Sequence, residues 1–171
     1  MSGAKEKKVA ELSTLLSPEA MSEVDIWIAK YPVEQKQSAV MGALTVAQEY
    51  NGGRLTNELM DSIADYLEMS KIAVYEVATF YSMYNMKPVG RNVVNLCTNV
   101  SCQLRGADEL AEHIKKKLGI GWGETTSDGR ITLREVECQA ACCGAPMACI
   151  NKDYHENLDA DKIDKLLDAL E

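Results

Sequence analysis

Apolar residues in the first half of the chain recur at three- and four-residue intervals, the spacing that gathers them on one face of a helix. Ser17-Pro18 predicts a helix start, because serine caps free amides and proline at the first helical position gives up no hydrogen bond. The segment that follows carries Met21, Val24, Ile26, Trp27 and Ile28 and stops near Tyr31-Pro32. A second helix is predicted from about Glu34 to Glu49, with Val40, Met41, Leu44 and Ala47 on one face and Asn51-Gly52-Gly53 at its end. Thr56 is read as the cap of a third, bearing Leu59, Met60, Ile63 and Leu67. Ser70 is read as the cap of a fourth, bearing Ile72, Val77, Phe80, Tyr81 and Tyr84. Lys87-Pro88-Val89-Gly90 closes this half.

From Arg91 the period changes. "NVVNL" (92–96) is short and β-branched, as a buried strand is. "RGADELAEHIKKKLG" is an amphipathic helix with Leu110, Ile114 and Leu118 on one face. An Asp-Gly turn precedes the strand candidate "ITLREVEC"; "PMACIN" reads as another strand, "NKDYH" as a turn. Asp159 caps a terminal helix with Ile163, Leu166, Leu167 and Leu170. The order strand, helix, strand, strand, helix predicts a small α/β module, one sheet covered by helices. The chain thus divides into a helical domain, 1–87, and an α/β domain, 88–171.

Charge narrows the function. A formal net charge of −8 lacks the basic surface that nonspecific nucleic-acid binding needs. The runs Lys7-Lys8 and Lys115-Lys116-Lys117 are short and read as solvated helix faces. No stretch is apolar enough for a membrane span, and the polar N-terminus, read as a short mobile tail, lacks the apolar core of a secretory signal and the arginines of a transit peptide.

The chemistry is concentrated in six cysteines, all between Cys97 and Cys149. Without a secretion signal, metal or catalysis is favoured over disulfides. Cys97-x4-Cys102 follows one predicted strand, and Cys138, Cys142, Cys143 and Cys149 follow or enter others. Two loops at one end of a sheet would bring four thiolates together. Zinc prefers Cys pairs with two to four intervening residues, which puts the first pair at the edge of the range. A [2Fe–2S] cluster is wider and accepts a four-residue spacing. A thioredoxin-type Cys-x-x-Cys is absent. Spacing favours iron–sulfur, and leaves Cys142 and Cys143 as equal candidates for the fourth ligand.

"VATFYSMYNMKPVGRNVVNLCTNVSCQLRGADEL" followed by "GETTSDGRITLREVECQAACCGAPMACIN" resembles the peripheral [2Fe–2S] subunit of bacterial NADH:quinone oxidoreductase, respiratory complex I. The resemblance implies an N-terminal helical bundle followed by a thioredoxin-like [2Fe–2S] ferredoxin domain. It implies one [2Fe–2S] cluster on Cys97, Cys102, Cys138 and Cys142, with Cys143 not a ligand. It further implies one-electron transfer beside an FMN- and NADH-binding partner subunit, within a larger respiratory complex on the cytoplasmic side of the bacterial inner membrane. The equivalent subunit of an NAD-linked hydrogenase or formate dehydrogenase, a zinc-stabilised module and a free-standing ferredoxin are the rival readings. The family commonly has Leu-Gly after the third cysteine; here Gln139-Ala140 stands in its place, a source of strain if the backbone there takes positive φ.

Other residues take their roles from this frame. An oxidised cluster carries a formal charge of about −2, and about −3 when reduced, so amides near Gly106, Gly144 and the loop after Cys97 are expected as donors to sulfur. Arg105 reads as a solvated or partner-facing residue at a helix start. His113 and His155 read as surface or structural residues. "GIGWG" (119–123) lacks the dinucleotide fingerprint. The aromatic and methionine stripe with Phe80, Tyr81, Met83, Tyr84 and Met86 is read as part core and part partner contact, with Tyr84 assigned to the contact. Cys149 is read as core.

Overall fold

The structure, a computed structural model, describes residues 10–171. The expected N-terminal tail and its Lys7-Lys8 run therefore lie outside the described residues. The chain divides into two compact units, Met1–Pro88 and Val89–Glu171.

The first unit is helical. A single turn, α1 (Leu12–Leu15), precedes α2 (Pro18–Ile28), whose Ser17 Oγ accepts from the Ala20 amide at 3.3 Å. The helix expected from Glu34 does not begin there. Residues Val33–Ala39 form a 3₁₀ stretch kinked at Gln35, and the α-helix proper, α3, runs Val40–Tyr50. The reason is burial: "VEQKQS" has one apolar residue, Val33, which is 93% exposed, whereas Ala39, Val40, Ala43, Leu44, Val46 and Ala47 enter the core. Gly42 is required within α3, since a Cβ there would lie 2.3 Å from the Trp27 ring. The turn at Gly52 and Gly53 takes positive φ, and the Gly53 amide closes on the Gln48 carbonyl at 2.9 Å.

Thr56 caps α4 (Asn57–Tyr66), accepting from the Leu59 amide at 3.2 Å. Ser70 occupies the corresponding position before α5 (Lys71–Phe80), but its hydroxyl receives no amide. α5 also ends earlier than its aromatic spacing predicts. Tyr81 is already extended, and Tyr84 folds back into the core, donating from its hydroxyl to the Met41 carbonyl at 2.9 Å. Asn85 fastens this return: its amide donates to Gln48 Oε1 at 2.6 Å and its side chain to the Gly53 carbonyl at 2.7 Å. These long-range bonds replace the next helical turn. Tyr84, 7% exposed, is therefore core and not a partner contact.

The second unit is a four-stranded sheet in the order β2-β1-β3-β4: β1 (Asn92–Cys97), β2 (Ile131–Val136), β3 (Ala148–Ile150) and β4 (Asp153–His155). β1 and β2 are parallel, and the other two pairings are antiparallel. α6 (Val100–Gln103) and α7 (Ala107–Leu118) lie in the crossover, and α8 (Ala160–Ala169) ends the chain. Val94, Leu96, Ile131, Leu133, Ala148 and Ile150 form one apolar core with Leu110 and Ile114 of α7 and Ile163 and Leu167 of α8. His113 and Lys117 of α7 meet Asp164 of α8 at 2.8 and 3.5 Å. β4 contradicts the reading of "NKDYH" as a turn alone. Asn151 and Lys152 turn, and the three polar, largely exposed residues that follow pair as an edge strand without any apolar alternation.

Candidate metal centre

Parallel pairing dictates where the cysteines meet. Cys97 is the last residue of β1 and stands in register with Val136, the last of β2, so the loops that follow leave the same end of the sheet. Cys97 and Cys102 are each 2% exposed, packed with Ala107, Ala145 and Met147. Asn99 organises their loop: its side chain accepts from the Val100 amide at 3.0 Å as the cap of α6, and donates across to Glu137 of the other loop at 2.8 Å. Thr98 makes a similar tie to Glu135 at 2.9 Å. Sequence inspection missed these ties, although an asparagine just before a helical turn is a recognisable cap.

The second loop is more open. Cys138 and Cys142 are exposed, with sulfurs 3.4 Å apart. Cys142 opens a 3₁₀ turn, Cys142–Gly144. A Cβ at Gly144 would lie 2.6 Å from the Cβ of Glu156, so any larger residue there would force that segment to shift. Ala140 has φ of +61°, the left-handed conformation suspected where the family has glycine, and its amide donates to Cys138 Sγ at 3.4 Å.

Electrostatics links the two pairs. Burial pushes the Cys102 thiol up to about 11, helped by its hydrogen bond with Cys97 and by the charge of Cys142, while a backbone hydrogen bond with Met147 opposes the rise. The Cys142 thiol is raised by its bond to Cys138 first, with Cys97 adding, and the Ser101 hydroxyl works the other way. The raised thiols of Cys102 and Cys142 are thus each affected by a cysteine of the other loop. Cys143 is exposed, and Cys149 lies in β3, 7% exposed, in keeping with its reading as core. Among the described residues no three His, Cys, Asp or Glu side chains form a group able to hold a single metal ion; the thiols come as one pair from each loop, Cys97 with Cys102 and Cys138 with Cys142. Two pairs of thiolates match a two-iron core, in which each iron takes two protein ligands.

The amides of Gly106 and Gly144, expected as donors to sulfur, are taken by the Gln103 and Ala141 carbonyls, both at 3.0 Å. In the loop after Cys97, the Thr98 amide goes to the Val136 carbonyl at 3.2 Å. Arg105 is exposed and reaches only the Ala145 carbonyl, at 3.5 Å. Gly119 of "GIGWG" terminates α7 in the left-handed conformation, whereas a phosphate loop opens a helix after a strand.

Known proteins share this arrangement of sequence and fold. The family model of the thioredoxin-like [2Fe–2S] ferredoxins matches residues 24–171. The E subunit of the NADH-quinone oxidoreductase of Rickettsia bellii is 46% identical over 143 residues, spanning 84% of this chain and 86% of that protein. Its counterpart of the same name in Rickettsia prowazekii is 40% identical over 161 residues, 94% of this chain and 91% of that protein. The mitochondrial NADH dehydrogenase [ubiquinone] flavoprotein 2 of Dictyostelium discoideum is 43% identical over 152 residues, 89% of this chain and 62% of that protein. An NAD+-reducing [NiFe]-hydrogenase matches with a TM-score of 0.63 at 23% identity, over 73% of this chain and 21% of that chain, a likeness of fold.

Proposed function

The chain belongs to the thioredoxin-like [2Fe–2S] ferredoxin family, and from that premise we propose that it is the E-type subunit of an NADH:quinone oxidoreductase, holding one [2Fe–2S] cluster on Cys97, Cys102, Cys138 and Cys142. The observation that supports this ligand set is that the two thiol-bearing loops leave the same end of parallel strands β1 and β2. When bound, the cluster supplies one-electron transfer without making or breaking a bond in a substrate.

The chain's own residues prepare the place. β1, β2 and the Asn99 cap fix the first pair in a dry pocket, and Ser101 and Ala140 hydrogen-bond to the second. All four sulfurs must give up protons on loading, which is why a thiol raised by burial, such as Cys102, resists occupation at low pH.

The partner is a flavin- and NADH-binding subunit of the same complex. Two apolar surfaces suit protein contact. Val100 and Leu104, 61% and 83% exposed, flank the thiols. In the helical unit Ile72, Phe80 and Met83 are 67%, 81% and 52% exposed. Replacing Phe80 by Asp is expected to cut copurification of the flavoprotein severalfold while leaving cluster content intact. Equal copurification would remove this surface from the interface. No helix of the described residues is long and apolar enough to cross a membrane. Attachment to the cytoplasmic side of the bacterial inner membrane would then come through other subunits.

Anaerobic purification, metal analysis and EPR before and after dithionite test the reading. About two irons per chain and one spin on reduction support it. Zinc near one per chain with no signal overturns it.

A further inference from the structure

Four non-glycine residues among those described have positive φ: Glu68, Ala140, Asn151 and Asn157. Asparagine tolerates this region through its short polar side chain. Ala140 has only a methyl group, which adds steric strain and offers no hydrogen bond in return. It sits between Cys138 and Cys142, in the loop where those sulfurs approach to 3.4 Å. Its conformation has one evident consequence. The peptide joining Gln139 to Ala140 turns its N–H back onto Cys138 Sγ, 3.4 Å away. Farther along the loop, the Ala141 carbonyl receives the Gly144 amide at 3.0 Å and the Cys142 carbonyl the Ala145 amide at 3.3 Å, which closes the turn beyond Cys142. Gln139 adds a restraint, its side-chain amide donating to the Glu137 carbonyl at 3.3 Å.

Resting on the ligand set proposed above, we propose that Ala140 is a positioning residue: its left-handed backbone holds its N–H on the sulfur of Cys138 and so raises the reduction potential of the cluster that thiolate carries. The physical reason is charge. Reduction adds one electron, and with it one negative charge, to a group that already carries excess negative charge on sulfur. A fixed N–H dipole aimed at that sulfur stabilises the reduced form more than the oxidised one. A purely structural role, in which positive φ merely lets the chain return Cys142 to Cys138, affects stability and leaves the potential alone.

Two substitutions separate these roles. Ala140→Gly keeps positive φ accessible without a Cβ, whereas Ala140→Val disfavours it strongly because a β-branched residue is an outlier there. The full chain is purified anaerobically in all three forms, and iron content with the EPR spectrum of the unsubstituted chain settles first whether the cluster reading stands. In EPR-monitored redox titrations Ala140→Gly is expected to keep the native midpoint. Ala140→Val is expected to lower the reduced-to-oxidised ratio at fixed potential roughly tenfold, about 59 mV for one electron. A native midpoint in an iron-loaded Ala140→Val chain overturns the proposal, as does an equal fall in Ala140→Gly. Should the valine chain fail to load iron, pulsed EPR of protein labelled with ¹⁵N-alanine decides. The reduced native chain should show a ¹⁵N coupling that the equally labelled Ala140→Gly chain lacks; identical spectra overturn the proposal.

Discussion

The two cysteine loops leave the same end of the sheet and are made in opposite ways. Cys97 and Cys102 belong to the core: each is 2% exposed, one closes a strand and the other sits in a capped helical turn. Cys138 and Cys142 are exposed, in a segment held by a left-handed alanine and a short 3₁₀ turn. Half of the site is therefore shaped by folding itself. The other half is held mainly by local hydrogen bonds and, on the proposed ligand set, by the cluster once bound. Four thiols of one chemistry thus depend on the rest of the protein in two different ways.

Serine substitutions put the largest strain on this contrast. Any of the four should lower bound iron well below the native level. Cys97→Ser or Cys102→Ser should also destabilise the cluster-free chain by about 1–3 kcal/mol, since a buried hydroxyl then lacks a matched partner. Cys138→Ser and Cys142→Ser should stay within about 0.5 kcal/mol, as surface changes do. Urea unfolding of the apo chains checks this, and equal losses at all four positions would dissolve the distinction.

Asn99→Ala comes next. It removes the α6 cap and the tie to Glu137 together, and should cost about 1 kcal/mol. Iron should bind more weakly although every sulfur remains, measurable as faster release to a chelator. Smaller still is Ala140→Gly, expected to stabilise the apo chain by about 0.5–1 kcal/mol by relieving positive φ, less whatever glycine adds to unfolded-state entropy. A loss on this substitution would mean that the methyl group packs productively.

The smallest effect lies away from the site. The His113 hydrogen bond holds the Asp164 carboxyl below the usual carboxylate range, with Lys117 adding. A depressed folded value contributes stability above the unfolded value and loses it as pH falls through the folded one. The native chain should therefore lose slightly more melting temperature than Asp164→Asn on acidification below the ordinary carboxylate range. Iron binding at neutral pH should respond little to that substitution. A large response would mean that the α7–α8 contact reaches the cysteine loops.

Local chemistry was legible in the sequence at several places where a residue acts on its near neighbours, though not at Asn99 or Ser70. The caps at Ser17, Thr56 and Asp159 each accept from an amide three residues on, and the turn at Gly52-Gly53 needs only glycine's tolerance of positive φ. β1 and α7 were readable from their apolar spacing. The family resemblance supplied the choice of Cys142 over Cys143, which spacing leaves open. What remained depended on groups that meet only once the chain has folded. Tyr84 leaves helical register because Met41 and Gln48 offer its segment partners about forty residues away. β4 exists because β3 presents an edge to a polar segment with no pattern of its own. Short range alone did not make a contact legible: the amides of Gly106 and Gly144 go to carbonyls three residues back, while Ala140, marked in the sequence only as a departure from the family's glycine, supplies an N–H to sulfur. Spacing established that the cysteines could meet; the parallel pairing of β1 and β2 decided at which end, because it puts the C-terminal ends of both strands, Cys97 and Val136, side by side.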